Sequence, residues 1–481
     1  MTTESDCYKR LEGWHMLLES ATQQRPDGGT PPDLTNLAGM FPYEATVAHY
    51  REVGKHFASE RVLGMLNRIR ESLADSPGLD DFCVRGARGQ NSQRILCDFL
   101  ATCLDKHLNY YDYKSYIALP LFLDNTLPVN VNFEEAMVKR IGLLKFLLYD
   151  DYLFEARSYL GLEGWTQERR DDAVVLKRLG KITDSLVALE NCTAPFAPAS
   201  PEERTALRAL KRIQSDGKEG VDVAGGLMLV EMLRQQAYWD QAIPIDLILN
   251  LSMLPTYINH EEYNFIRVLQ AFEVIFSIII FGLRSVISSI YDDRLRAASK
   301  VLAALCSIFK MESSLFTVLM TMPREDFRIF RQYTEGASAI QSPQYKMIEV
   351  LMGSPKSARR DSPAFKYVPH IRVLFERTGL SLDLVIREKF CQNGDGAPLS
   401  AISNKDAIEM LRRLNQLDRM FLNWKKQHFG IANHMIGDIP KGTGGADVIQ
   451  YLGLFKGDLF FPELNGIFAD SWTGKSANSA I

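Results

Sequence analysis

Cysteine is scarce and unpatterned in this chain. The seven thiols (Cys7, Cys83, Cys97, Cys103, Cys192, Cys306, Cys391) are odd in number, and no CxxC pair occurs. That excludes a disulfide framework and a thiolate metal site, and it leaves reduced structural thiols. Charge of one sign is also missing: 55 basic against 59 acidic residues leave a net charge of -4 with no domain-sized excess, which argues against nucleic acid as a partner. The start, MTTESDCYKRLEGWHMLLES, has no cationic segment leading into an apolar run. The expectation is therefore a cytoplasmic chain without a secretory leader. The greasiest stretch, Val268 to Leu283, is interrupted by Gln270, Glu273 and Ser277 and bounded by Arg267 and Arg284. It is too short and too polar at its ends to span a membrane and reads as a helix buried all round, so no membrane partner is expected. His260-Glu261-Glu262 lacks a second histidine one turn on, which removes a zinc-protease helix.

Helical periodicity is plentiful, whereas alternating strands closed by two-residue turns are hard to find. The fold class is accordingly all-α. With 481 residues, 46% of them hydrophobic, the chain has material for more than one domain. Two breaks stand out: NCTAPFAPASP (191–201) reads as a domain boundary, and GSPKSARRDSP (353–363) reads as a surface loop. The organisation expected is a helical N-terminal region over 1–200, a main domain over 201–470 and a frayed tail over 471–481. Tyr110-Tyr111-Asp112 precedes Glu134-Glu135 much as Tyr238-Trp239-Asp240 precedes Glu261-Glu262. A duplicated core would explain this echo, and so would chance recurrence of short patterns.

Three segments carry chemistry. In DFRIFRQYTEGASAIQSPQYKMIE (326–349), Phe327, Phe330 and Arg331 share one helix face, so two rings flank a planar cation suited to an amino-acid carboxylate. The plainer reading is an arginine stem packed on two phenylalanines at the edge of the core. In NWKKQHFGIANHMIGDIPKGTGGADVIQYL (423–452), Trp424, His428, Ile431 and Met435 form a single stripe that turns His428 toward an apolar interior. A lone buried histidine is ordinarily a satisfied core residue. Here, however, Gly442-Thr443-Gly444-Gly445 follows, a loop whose backbone can approach a ligand closely. The third is the greasy helix, with Phe265, Leu269, Phe272 and Phe276 on its inner stripe. Its plain reading is a core helix.

Taken in this order, the segments resemble the tryptophan 2,3-dioxygenase family. The resemblance rests on Phe327, Phe330, Arg331, Tyr333, Ala337, Ser338, Gln341, Ser342 and Gln344 in the first segment. In the second it rests on Trp424, His428, Met435, Gly437 and Gly442 to Gly445, with one residue inserted before the glycines. In HEEYNFIRVLQAFEVIF it rests on Glu262, Phe265, Gln270, Ala271 and Glu273. It spans roughly Tyr238 to Leu464 and leaves the first 200 or so residues unexplained.

The resemblance implies an enzyme with a b-type haem whose proximal iron ligand is His428, with Ser338, Trp424, Gly442 and Gly444 around the cofactor. It implies an aromatic amino acid and dioxygen as reactants, with Arg331 on the carboxylate, Thr443 on the ammonium, and Phe265 and Phe327 walling the ring. Two departures matter. Leu269 stands where the family usually has a distal histidine, and Trp239 and Ala242 stand around the place of its pocket tyrosines. Leucine neither accepts the indole N–H nor passes a proton. Insertion of both oxygen atoms into indole consumes no net proton, so Leu269 is compatible with dioxygenation while marking a drier, reshaped pocket. Two rival readings keep the haem: hydroxylation or rearrangement of an aromatic amino acid in natural-product biosynthesis, and a non-catalytic haem or ligand-binding protein. A homodimer or homotetramer is the expected assembly, and the N-terminal region is a candidate cover for the pocket.

Overall fold

The computed structural model describes residues 3–23, 34–74, 92–107, 112–124, 132–162, 171–194, 198–215, 221–237, 244–353, 357–366, 368–378, 380–390, 403–436, 452–453 and 456–468. Among them there is no strand, and the all-α expectation holds. In chain order the principal helices are α1 (Thr3–Gln23), α2 (Tyr43–Val53), α3 (Glu60–Ala74), α4 (Ser92–Leu104), α5 (Tyr113–Tyr116), α6 (Phe133–Tyr159), α7 (Asp172–Thr193), α8 (Pro201–Ser215) and α9 (Val223–Gln236). They continue with α10 (Ile245–Leu251), α11 (His260–Tyr291), α12 (Leu295–Phe309), α13 (Met311–Leu319), α14 (Arg324–Arg331), α15 (Pro343–Met352), α16 (Leu382–Phe390) and α17 (Lys405–Ile436).

The greasy segment becomes α11, the axis of the molecule, which packs against α6, α12, α14, α15 and α16. Asn259 caps it by accepting the Glu261 amide at 2.9 Å, and Glu261 and Glu262 complement the first turn. Gly282 permits the tight approach of α12, because a Cβ there would lie 2.5 Å from Leu305. α11 and the continuous stretch Leu295–Leu319 are both long and apolar enough to cross a bilayer, yet most of each is buried against protein. For α11 several of its polar residues meet partners on neighbouring segments. Arg267 reaches Asp150 at 2.7 Å, and Gln270 donates to the carbonyls of Ile117 and Ser252.

The core does not part at residue 200. The segment 191–201 connects α7 to α8, which pack on each other, while α6 and α7 pack on α11 and α13. A buried ionic network crosses that seam: Arg178 of α7 pairs with Glu155 of α6 at 2.7 Å and with Glu261 of α11, and His260 meets Glu155 at 3.0 Å. The polar stretch after Gly353 also differs from a free loop. Arg359, in a short helix over Ser357–Arg360, reaches the buried Glu349 at 2.7 Å and draws the segment onto α15.

Candidate active site

Helices α11, α14 and α17 enclose a cavity of about 250 Å³. The stripe Phe265, Leu269, Phe272 and Phe276 lines one wall, and Trp424, His428, Ile431 and Met435 line another. Phe327, Phe330 and Arg331 close a third side. Over the first twenty residues of α11, only Phe265 and Leu269 are not fully buried. They are accessible because they face this space.

The rings fall into two groups. Around His428 stand Trp424 (centroids 5.1 Å apart) and Phe316 (6.3 Å, nearly parallel), with Phe276, Tyr345 and Phe272 behind them. Two helical turns further along α17, about 10 Å at 1.5 Å per residue, Met435 packs into a second cluster with Phe330, beside Phe265 and Phe327. There Phe265 lies 5.6 Å from Phe327 and 5.3 Å from Phe330. Arg331 sits beside this second group, half-buried, and burial lowers its pKa from a very high starting value, so it remains a cation.

His428 combines partial exposure with a pKa pushed down to about 4, first by burial and then by the Lys346 charge. Its accessible face opens into the cavity, and the ring is neutral at pH 7 with a lone pair available. Among the described residues none hydrogen-bonds this imidazole. One turn away the buried Nε1 of Trp424 also has no partner there. Three lysines, Lys346, Lys425 and Lys456, line the cavity. Lys346 pairs with Glu349 at 2.7 Å, and burial together with Arg359 lowers its pKa to about 7. Burial alone would raise Glu349, but Arg359 and Lys346 outweigh it and hold the carboxylate at about 2.

This donor set fits the haem implied by the sequence. A neutral histidine nitrogen faces an apolar, ring-lined space, an orphaned indole N–H lies beside it, and cations are present for an acidic cofactor edge. Among the described residues, no group of three histidine, cysteine or carboxylate side chains could hold a bare metal ion.

Ser338 also lines the cavity, and its amide donates to Gln341 Oε1 at 3.0 Å. Thr443, Gly442, Gly444, Trp239 and Ala242 lie outside the described residues.

Among the lining residues that the sequence does not single out, Tyr113, Tyr116 and, as a chemical group, Glu273 bear on the chemistry. The Tyr113 hydroxyl donates to Glu273 Oε1 at 2.9 Å, and the Tyr116 hydroxyl donates to Glu262 Oε1 at 3.1 Å. Burial raises Glu273 to about 7 despite hydrogen bonds from Ser342 and Tyr113. It raises Glu262 likewise to about 7 against the bonds from Thr256, Tyr257 and Tyr116. Glu273 lies one turn beyond Leu269, so the wall that lacks a histidine has a buried carboxyl and a phenol next to it. The Tyr-x-x-Tyr spacing after the helix-capping Asp112 sets the two phenols close together on α5 without naming their distant partners.

Comparison with known proteins finds similarity to one family over part of the chain. The family model for tryptophan 2,3-dioxygenase matches residues 232–380. Similar proteins include the tryptophan 2,3-dioxygenase of Bordetella parapertussis, 26% identical over 263 residues, which covers 49% of this chain and 91% of that protein. That of Polaromonas sp. is 25% identical over 301 residues, covering 57% of this chain and 97% of the relative. That of Paraburkholderia phytofirmans is 27% identical over 234 residues, covering 43% and 76%.

Proposed function

We propose, from the similarity of residues 232–380 to the tryptophan 2,3-dioxygenase family, that this chain is a divergent member of it and oxygenates L-tryptophan or a related aromatic amino acid. The family carries the class, a haem-dependent oxidoreductase. The reaction we assign is insertion of both atoms of dioxygen into the indole ring. The observation that supports this most is the convergence of His428, Arg331 and the Phe265, Phe327 and Phe330 rings on one cavity.

In this reading His428 holds the iron of a b-type haem through its neutral imidazole, and Trp424 and Phe316 fix the plane of that ring. The bound haem supplies the redox chemistry with dioxygen. Arg331 grips the substrate carboxylate, where a bidentate guanidinium selects α-amino acids over amines. Phe265 and Phe327 hold the aromatic ring between them, and Leu269 keeps the space beside the ring dry. Ser338 stands at the cofactor's edge, and Thr443 is assigned to the ammonium group. No side-chain base is required, because ring dioxygenation leaves the proton count unchanged.

The test is product analysis under isotopically labelled dioxygen, using reduced, haem-loaded protein and L-tryptophan. The reading predicts a product that retains both labelled atoms. A product with a single labelled atom would replace dioxygenation by hydroxylation, and no incorporation into any aromatic amino acid would remove the oxygenase assignment.

A further inference from the structure

The echo noted in the sequence has a structural counterpart. Helix α6 starts after the cap Asn132 with Glu134 and Glu135 in its first turn, and α11 starts after the cap Asn259 with Glu261 and Glu262. The interval is 127 residues (259 less 132). The same interval carries α7 onto the continuous stretch formed by α12 and α13. A short helix precedes each long one, α5 before α6 and α10 before α11. Each run then ends on a helix that returns to its first long helix, α9 onto α6 and α15 onto α11.

The equivalent helices cross antiparallel. In the first pair Arg140 meets Ser277 at 2.8 Å, Asp151 meets Asn264 at 2.7 Å and Glu155 meets His260 at 3.0 Å, so numbers fall along one helix as they rise along the other. In the second pair, Ser185 meets Ser314 at 2.8 Å and Arg178 meets Thr321 at 2.9 Å. Two like units set about a twofold axis pack in this way.

The copies are unequal where the cavity is concerned. The positions 127 residues before Phe272 and Phe276 hold Lys145 and Tyr149, and Lys145 is engaged by Glu203 at 2.5 Å. Among the described residues the first unit has no equivalent of α17, the helix that bears His428. What the first unit does contribute is α5. Tyr113 and Tyr116 line the cavity of the second unit, their hydroxyls are tied to Glu273 and Glu262 of α11, and the Tyr113 amide shares Gln341 Oε1 with the Ser338 amide. The Tyr116 ring lies tilted 6.5 Å from Phe265. Just before this unit in the chain, Lys106 joins Glu335, in the loop after Arg331, at 3.0 Å.

We infer that the unit over residues 112–236 is a degenerate copy of the unit over 244–352, retained as a covalently attached partner that completes the pocket in the same chain through the specificity-determining residues Tyr113 and Tyr116. The placement rests on geometry alone, while the specificity role rests on the cavity being the amino-acid pocket. The first unit has lost a site of its own and has kept the surface that closes its twin's.

Two measurements separate these parts. Carbodiimide coupling of the full wild-type chain should form an amide between Lys106 and Glu335. On a denaturing gel the bridged peptide should be recovered from the single-chain band. Recovery only from a two-chain band would mean that a second copy closes the pocket, and the inference would fall whatever the substrate. In the second measurement, L-tryptophan binding to haem-loaded protein is followed by calorimetry for wild type, Tyr116→Phe and Tyr116→Ala. Loss of the ring should weaken binding roughly tenfold or more, as expected for an aromatic wall, and Phe should retain most of it. Wild-type affinity in Tyr116→Ala would refute the specificity role. A wild type that binds no L-tryptophan would count against the proposed function, and the cross-link would still decide the placement.

Discussion

The two helical units are built alike and differ in what fills the space beside their central helix. Beside α11, Phe265, Leu269, Phe272 and Phe276 leave a cavity that α14 and α17 close. Beside α6, Lys145 turns to Glu203, Tyr149 is buried, and Phe146 stands where α11 has Glu273. A cavity therefore depends on a handful of inward residues and one added helix, while the scaffold follows from helix caps and apolar stripes that both units share.

The strongest way to break that pairing is at the seam. Arg178 is fully buried between Glu155 of one unit and Glu261 of the other, so Arg178→Leu leaves two buried carboxylates without their cation. The expected cost is about 3–5 kcal/mol, the usual price of breaking a buried ion pair. Denaturant unfolding checks it, and a loss under 1 kcal/mol would mean that the seam is not held this way.

Next in size is Arg331→Leu, which should weaken L-tryptophan binding by about 2–4 kcal/mol, as for a desolvated charge pair, and leave the decarboxylated amine almost unaffected. Equal affinity of the wild type for both compounds would detach Arg331 from the carboxylate.

Glu273 gives the second unit a pH signature that Phe146 cannot give the first. Because burial raises this carboxyl from 4.5 to about 7, the folded state binds the proton more tightly than the unfolded chain. Its contribution to stability is complete below about pH 4.5 and falls by about 3 kcal/mol as the pH rises through about 7. Glu273→Gln should flatten that part of the stability profile. Glu262, raised for the same reason, keeps its own share of the slope. An unchanged profile in the variant would place Glu273 in a more polar setting.

The smallest effect belongs to the first unit. Lys145→Ala removes a partly exposed pair and should cost about 1 kcal/mol or less without touching ligand binding. Phe272→Ala, at the equivalent position, should cost about 3–5 kcal/mol and open the pocket. Similar outcomes for the two would dissolve the distinction between the units.

These contrasts also explain how much could be read in the sequence. α11 and α17 declared themselves through stripes at helical spacing, and the same stripes located Leu269, His428 and their aromatic neighbours, because residues on one helix face share one environment. Arg331 followed from its place beside Phe327 and Phe330. Tyr113 and Tyr116 stayed hidden because their partners are 160 and 146 residues away, and no local pattern encodes such a meeting. Glu273 looked like an interruption in a greasy helix, and only the phenol that meets it reveals a buried carboxyl at the cavity. The proline-rich segment at 191–201 suggested a boundary, since prolines mark chain breaks whether or not the flanking helices pack together.

The most direct test of the account is the absorption spectrum of the purified protein titrated with haem, before and after dithionite, alongside His428→Ala. One non-covalent haem per chain is expected, held by His428 of α17 beside the second unit, with a ferrous spectrum that His428→Ala loses or badly weakens. A wild type that takes up no haem, or a variant whose ferrous spectrum is unchanged, would contradict it.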